Sequence, residues 1–336
     1  MTSLHTKLII ERLGERGEGV ARTPGGLVFV PYALASEIII AGIEGPRGTL
    51  AEIVAPSPDR VAPHCPYFAS CGGCAVQTLA QPAYAQWKRD LVVAALRWAG
   101  LKAEVSDLVD AHGEGRRRAT VHARYPGGQP ATGFMQARGH KIIEIESCPL
   151  LAPSLENALP VARAIGQALA AAKKPLDILV TATASGLDVD IKGHGLLDAQ
   201  QRQALVHIAL EHDLARLSNH REAILNQGTP LIGMGKALVA LPPGAFLQAT
   251  EAGEKALATR VCAKMAGAKR IVDLFAGIGT FALRLAEFAT VSAFDLDEGA
   301  LSALAKAAYA ARLKPVKVAR RDLFRQPLSP QGARTL

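Results

Sequence analysis

The chain has 336 residues, 49% of them hydrophobic and 20% charged, which is room for two or three packed domains and excludes a disordered protein. Lys and Arg total 38 against 30 Asp and Glu, and the net charge of +8 makes an acidic polymer a reasonable partner. No run of 18 apolar residues and no targeting segment occurs, which argues against a membrane or secreted protein and for the cytoplasm.

Residues 7–12, 18–22, 26–30, 35–43 and 50–55 read as short strands between glycine turns. Five strands at that spacing predict a small barrel of the OB type over residues 1–60, a fold whose faces commonly hold oligonucleotides. Next comes Cys65-x5-Cys71-x2-Cys74, with Cys148 far downstream in front of Pro149. Thiolates so spaced, around Gly72 and Gly73 whose N–H groups can turn toward sulfur, suit a metal centre ligated by Cys65, Cys71, Cys74 and Cys148. A disulfide framework is disfavoured by the odd count of 5 Cys and by an N-terminus without an apolar region. A four-cysteine zinc site remains an alternative, because three close ligands and one remote one also make a tetrahedron. The Cys-Pro pairs at Cys65 and Cys148 favour iron, since a bacterial ferredoxin run also ends in Cys-Pro. Cys262, among apolar residues of a helix-like stretch, reads as an inert core thiol.

A helix is predicted from Pro82 to about Trp98, stopped by Gly100. Residues 61–250 as a whole read as an α+β domain: strands at 118–125 and 133–137, a helix over 154–174, and a hairpin of 178–182 with 187–191. Asp198 caps a further helix, with Gln201 in the capping-box position. His194, His207, His212 and His220 have neither metal spacing nor a partner acid and read as surface or packing residues. Arg116, Arg117, Arg118, Arg124, Arg138 and Lys141 cluster on or beside the two strands. Strand alternation projects several of them from one face, as a phosphate-reading surface for structured RNA or else a charged, solvated strand edge.

Residues 251–336 begin with a helix over 251–266 and continue into an apolar strand, a turn with Gly277 and Gly279, and a helix over 280–287. This puts bare backbone at the carboxyl edge of a parallel sheet, where a nucleoside ligand can approach. A second strand (291–294) ends in Asp295, 22 residues after Asp273, and a third (316–319) ends near Asp322. Gly277, Gly279 and Ala282 also satisfy the dinucleotide pattern, but Asp273 separates the two cofactors. A carboxylate there repels a pyrophosphate and attracts ammonium and sulfonium groups, which favours S-adenosylmethionine over NAD.

Taken together, these motifs give the chain a family resemblance. Gly17-Glu18-Gly19-Val20-Ala21 looks like a TRAM barrel. Cys65-Pro66, Cys71-Gly72-Gly73-Cys74, Gln77 and Cys148-Pro149 look like the ligand segments of a 4Fe-4S cluster. With Phe246-Leu247-Gln248 and Asp273-Leu274-Phe275-x-Gly277-x-Gly279, the chain from about residue 7 onward resembles bacterial RNA uracil-5-methyltransferases. It is most similar to the 23S rRNA branch that carries both barrel and cluster. The resemblance implies a multidomain α/β protein: TRAM barrel, central α+β domain with the cluster loop, and an incomplete, Rossmann-like, doubly wound methyltransferase domain. It implies S-adenosylmethionine contacts from Gln248, Phe275, Thr280, Asp295 and Asp322, beside Asp273, Gly277 and Gly279 of the turn. Thr280 and Thr250 stand where the family commonly has asparagine.

The implied partner is structured RNA, 23S rRNA before tRNA, bound by a monomer. The implied cluster shapes the RNA-binding surface rather than doing redox chemistry. The family reaction uses a cysteine thiolate that adds to C6 of uracil. In the family that residue and the base lie downstream of an Asp-Pro-Pro strand. No such segment precedes Leu336, so the 336-residue chain is expected to lack the methyl-transfer step.

Overall fold

The structure is a computed structural model that describes residues 5–329 and Gln331. The first residues of the expected barrel and the last of the expected methyltransferase domain, Leu336 among them, lie outside the described residues. The chain divides into two compact units, Met1–Val109 with Met135–Ile143, and Asp110–Phe134 with Glu144–Leu336.

The first unit holds strands β1 (His5–Ile9), β2 (Arg12–Leu13), β3 (Gly19–Thr23), β4 (Gly26–Val30), β5 (Ile38–Glu44) and β6 (Arg47–Ala55). They form one sheet in the order β1-β5-β6-β4-β3-β2. Six strands appear where five are expected, because Ile10 and Glu11 break the first one. The Ile10 N–H turns to the carbonyl of Glu37 and that of Glu11 to Val20 (2.9 and 2.8 Å). Alternating apolar residues, Leu8, Val28, Val30, Ile39 and Ala41 with Ile10 and Ala21, make the core of this sheet. Helix α1 (Gln81–Trp98) has Pro82 in its first turn, as expected, and no fully buried residue. A two-residue strand, β9 (Ile142–Ile143), ends the unit.

In the second unit, strands β7 (Arg118–Arg124), β8 (Ala131–Met135), β10 (Leu176–Thr183), β11 (Gly186–Lys192), β12 (Arg216–Asn219) and β13 (Glu222–Asn226) run in the order β13-β12-β11-β10-β7-β8. The expected helix over 154–174 is shorter, α2 (Ala158–Ala168), between single 3-10 turns at Pro153–Leu155 and Ala170–Ala172. Pro160 has no N–H to offer the carbonyl of Glu156, so a helix can include it only in its first turn. Helix α3 (Ala199–Glu211) starts on the expected capping box, with both Asp198–Gln201 bonds formed (2.8 and 3.0 Å). The hairpin β14 (Leu231–Met234) and β15 (Ala237–Ala240) leads through a loop to α4 (Glu251–Lys264).

Beyond α4 the chain alternates strand and helix: β16 (Arg270–Leu274), α5 (Ala282–Leu285), β17 (Thr290–Asp295), α6 (Glu298–Ala310) and β18 (Val316–Arg320). The strands are parallel in the order β16-β17-β18, with Asp273 beside Ala293 and Asp295 beside Arg320. Val291, Ala293, Leu283 and Leu304 pack with Met234 and Val239 of the hairpin in one core. The first turn therefore ends at a rigid sheet edge, which is where a ligand site needs its precision.

Candidate functional site

The turn after β16 carries four of the eight expected cofactor residues, Phe275, Gly277, Gly279 and Thr280, at the carboxyl edge of the parallel sheet. Gly277 has φ 54° and nothing within 4 Å of where a Cβ would stand, so its backbone is open to a ligand. Gly279 (φ 99°) is a glycine for the opposite reason: a Cβ would meet Leu283 and Leu304 at 2.9 Å, so it sets how closely α5 and α6 approach. Phe275 is also left-handed (φ 60°) and 58% exposed, its ring 5.3 Å from that of Phe324. Asp295, at the end of β17, accepts the N–H of Gly277 on Oδ2 (2.8 Å) and that of Asp297 on Oδ1 (2.9 Å). Asp322 accepts the N–H groups of Phe324 and Arg325 (both 3.1 Å). Thr280 is half-buried and its carbonyl accepts from Arg284 (2.7 Å).

Asp273 is different in kind. It is buried, and its Oδ2 has no hydrogen-bond partner. Burial pushes its carboxyl up to about 6; the N–H of Ala282 works against that and the nearby Asp295 adds to it. An unpaired buried carboxylate beside a glycine turn is costly in the free protein and becomes favourable once a cation faces it.

Gln248 lies in the loop between β15 and α4, held by arginines that the sequence suggested for RNA. Arg117 Nε donates to the Gln248 carbonyl (3.3 Å) and Arg118 Nη1 to the carbonyls of Ala245 and Leu247 (3.2 and 3.4 Å). Phe246 is 73% exposed, with the Arg118 guanidinium 5.8 Å from its ring centroid. Thr250 keeps a capping role at the position of the family's asparagine: its Oγ1 accepts the N–H of Gly253 (2.9 Å) and donates to Ala111 (2.6 Å).

The expected basic face is therefore corrected at several positions. Arg117 shares its strand face with Ala119, Val121 and Ala123, all buried, so alternation turns it inward rather than toward RNA. Arg118 and Arg124 lie on the other face, but Arg124 is spent on the carbonyls of Ala123 and Leu176 and on Asp177. Arg116 and Lys141 are exposed. Arg138 (φ 57°), in the first unit, pairs with Glu18 at 2.5 Å.

In that first unit, Arg12, Arg16, Arg47 and Arg138 line a groove of about 850 Å³ together with Phe29 and Tyr32. Cys74, Glu15 and Glu18 also line it. The cysteine loop is tied down by its backbone: the Gly72 N–H donates to Met135 (2.8 Å), and a side chain there would strike Met135 and Ala137. The Gly73 N–H points at Cys71 Sγ (3.4 Å) and the Cys65 N–H at Gln77 Oε1 (3.3 Å), while Gln77 Nε2 is buried without a partner. Cys148 belongs to the second unit. Among the described residues no three His, Cys, Asp or Glu side chains are gathered as a metal-holding group. Cys262 packs against the core of the second unit, and burial raises its thiol above the ordinary value, in keeping with an inert residue.

No family model matches the chain. It is 41% identical over 333 residues to an uncharacterized RNA methyltransferase of Brucella suis, covering 98% of this chain and 80% of that protein. To an uncharacterized RNA methyltransferase of Caulobacter vibrioides it is 43% identical over 339 residues, covering 98% and 81%. The chain belongs to the RNA methyltransferases. It is also 31% identical to the 23S rRNA (uracil(1939)-C(5))-methyltransferase RlmD of Halomonas elongata, over 86% of this chain and 65% of that one. Its fold is that of the Pyrococcus abyssi tRNA (uracil-54, C5)-methyltransferase, solved with S-adenosyl-L-homocysteine (TM-score 0.69, 20% identity, 93% of this chain and 79% of that one).

Within this RNA methyltransferase one buried triad organises the site. Glu254 of α4 is fully buried, with Oε2 on Arg117 Nη2 (2.5 Å) and Oε1 on Arg284 Nη2 (2.7 Å). Sequence reasoning missed it, because its members lie at positions 117, 254 and 284 and nothing in their spacing marks them as partners. Glu254→Gln leaves two buried guanidinium groups short of an anion and should lower stability by about 3–5 kcal/mol, whereas replacing all three members with apolar residues of similar volume should cost much less. Thermal or denaturant unfolding of the two variants checks this. Asp273 gives a second expectation. Its folded carboxyl is raised from 3.8 to about 6, so the folded state holds a proton that the unfolded state has lost. Stability of the free protein should fall as pH rises between those values, and Asp273→Asn should remove the fall in a pH series of unfolding midpoints.

Proposed function

We propose that the chain binds S-adenosylmethionine at the turn after β16 and serves methylation of C5 of a uridine in RNA, 23S rRNA before tRNA. Asp273 carries the reading: a buried, half-unpaired carboxylate beside an open glycine turn suits the ammonium and sulfonium of this methyl donor and not a pyrophosphate. Uridine as the target is supported by the activities for which the Halomonas and Pyrococcus proteins are named, and the higher identity of the former favours ribosomal RNA.

In the reaction a cysteine thiolate adds to C6 of a uracil taken out of its stack, which makes C5 nucleophilic. C5 takes the methyl group from sulfur, releasing S-adenosylhomocysteine; a base then removes the C5 proton and the thiolate leaves. No residue described here is assigned the nucleophile. What this chain's residues do is hold the donor. Asp273 faces its positive charge, Asp295 accepts from ribose hydroxyls, and Phe275 and Asp322 border the nucleoside.

RNA binding is supported by the groove of the first unit, whose lining has four arginines against two glutamates together with two aromatic rings, side chains of the kinds that grip phosphates and stack bases. Arg116, Arg138 and Lys141 of residues 61–250 keep an RNA-binding role in this reading, and residues 1–60 are taken as a TRAM-type barrel of a cytoplasmic monomer. A 4Fe-4S cluster on Cys65, Cys71, Cys74 and Cys148 fits the all-sulfur donor set, the N–H aimed at Cys71 Sγ, and the orphaned Gln77 amide, which lacks an acceptor such as a sulfide. Zinc is the alternative.

Calorimetry should show S-adenosylhomocysteine binding and NAD not, with affinity rising as pH climbs through about 6 and the pH dependence lost in Asp273→Asn. NAD binding in its place overturns the cofactor assignment. Mass spectrometry of RNA from cells lacking the gene should miss one 5-methyluridine in 23S rRNA; loss from tRNA instead moves the substrate, and loss from neither rejects the reaction. Anaerobically purified protein should absorb broadly at about 400 nm, which a closed-shell zinc ion does not, and Cys65→Ser or Cys148→Ser should each remove the band.

A further inference from the structure

Arg221 sits in the two-residue turn between β12 and β13, where His220 (φ 50°) and Arg221 (φ 69°) are both left-handed. Such a turn suits the twist of a hairpin but ordinarily takes Asn and Gly, so two large side chains here need compensation from their surroundings. His220 receives it from the N–H groups of Gly193 and Gly195, which donate to Nε2 (3.3 and 3.2 Å). Arg221 donates its backbone N–H to Oδ1 of Asp190 (2.8 Å), an acid only 1% exposed on β11.

The side chain of Arg221 then forks. Nε donates to the Pro243 carbonyl and Nη2 to Asp297 Oδ2, both at 2.8 Å. Pro243 belongs to the loop that carries Gln248; the next residue, Gly244 (φ 66°), comes so close that a Cβ would stand 3.0 Å from Asp190 Oδ2. Asp297 caps α6 through the N–H of Ala300 (3.0 Å), and its own N–H donates to Asp295 Oδ1 (2.9 Å). Asp295 in turn holds the N–H of Gly277 (2.8 Å). One guanidinium thus ties together the two segments that border the proposed adenosyl site, and it does so from a different sheet.

We infer that Arg221 is a positioning residue for the adenosyl ligand, fixing Asp297 and through it the orientation of Asp295 toward the ribose. The inference rests on the adenosyl reading of the turn. Arg221 and Asp297 are 47% and 34% exposed, so their pairing contributes little to global stability, and its effect belongs in affinity. A planar fork makes both bonds at once, and a lysine ammonium does not.

Asp297→Asn keeps a good helix cap while removing the charge that pairs with Arg221, which separates capping from positioning. Binding of S-adenosylhomocysteine and of adenosine is measured by calorimetry for the unsubstituted protein, Arg221→Ala, Arg221→Lys, Asp297→Asn and the Arg221→Ala/Asp297→Asn double variant. Arg221→Ala and Asp297→Asn should each weaken both ligands by about tenfold, Arg221→Lys should recover only part of that loss, and the double variant should lose no more than the worse of the two. Unliganded unfolding midpoints should stay close together. Variants that bind like the unsubstituted protein, or losses that simply add, overturn the role of Arg221. Failure of the unsubstituted protein to bind S-adenosylhomocysteine overturns the adenosyl reading itself.

Discussion

A carboxylate with no access to water has to keep its counter-charges, and Glu254 keeps two, Arg117 on one oxygen and Arg284 on the other. The constraint propagates outward because each arginine has further duties. Arg117 also holds the Gln248 carbonyl, and Arg284 holds that of Thr280 at the end of the glycine turn. Withdrawing any member strands a buried charge, so the β7 strand, the loop before α4 and the start of α5 are fixed relative to one another. The two walls of the proposed donor site are therefore set by an interaction that need not touch a ligand.

Against that satisfied triad stands an acid left unsatisfied. Asp295 has both oxygens on backbone N–H groups, and Asp322 has two such donors as well. Asp273 keeps one oxygen bare in the interior. Folded proteins seldom tolerate this without a use for it, and burial holds this carboxyl above the ordinary carboxylate range. The contrast separates three acids that look alike in the sequence: one keeps an oxygen without a partner, and two are held by backbone N–H groups of the segments around them.

The first unit solves a different problem, how to hold a loop of cysteines and arginines with little regular structure. Backbone bonds from Gly72 to Met135 and from Ala137 to Ser70 pin the loop against the segment that carries Arg138. Arg60 and the N–H groups of Leu34 and Ser57 close on the buried Glu37 in the same unit. Polar groups that converge on one acid stiffen a small sheet whose apolar core is modest.

Strands with period-two patterning, the Asp198 cap, the Gly277 and Gly279 turn, and the acids at successive strand ends are local features, and local physics placed them: a capping box or a left-handed glycine needs only its neighbours. The helix expected over 154–174 starts late, at Ala158, on equally local grounds, through Pro160. What no reading along the chain could supply was pairing at a distance. Arg117, grouped by sequence with an RNA-facing set, belongs to Glu254, 137 positions away. Arg221, in a turn without remark, belongs to Asp297. Alternation says on which face a residue lies, but which face is buried, and against which acid, is decided only when the layers pack, because desolvation and charge pairing depend on distance in space rather than along the chain.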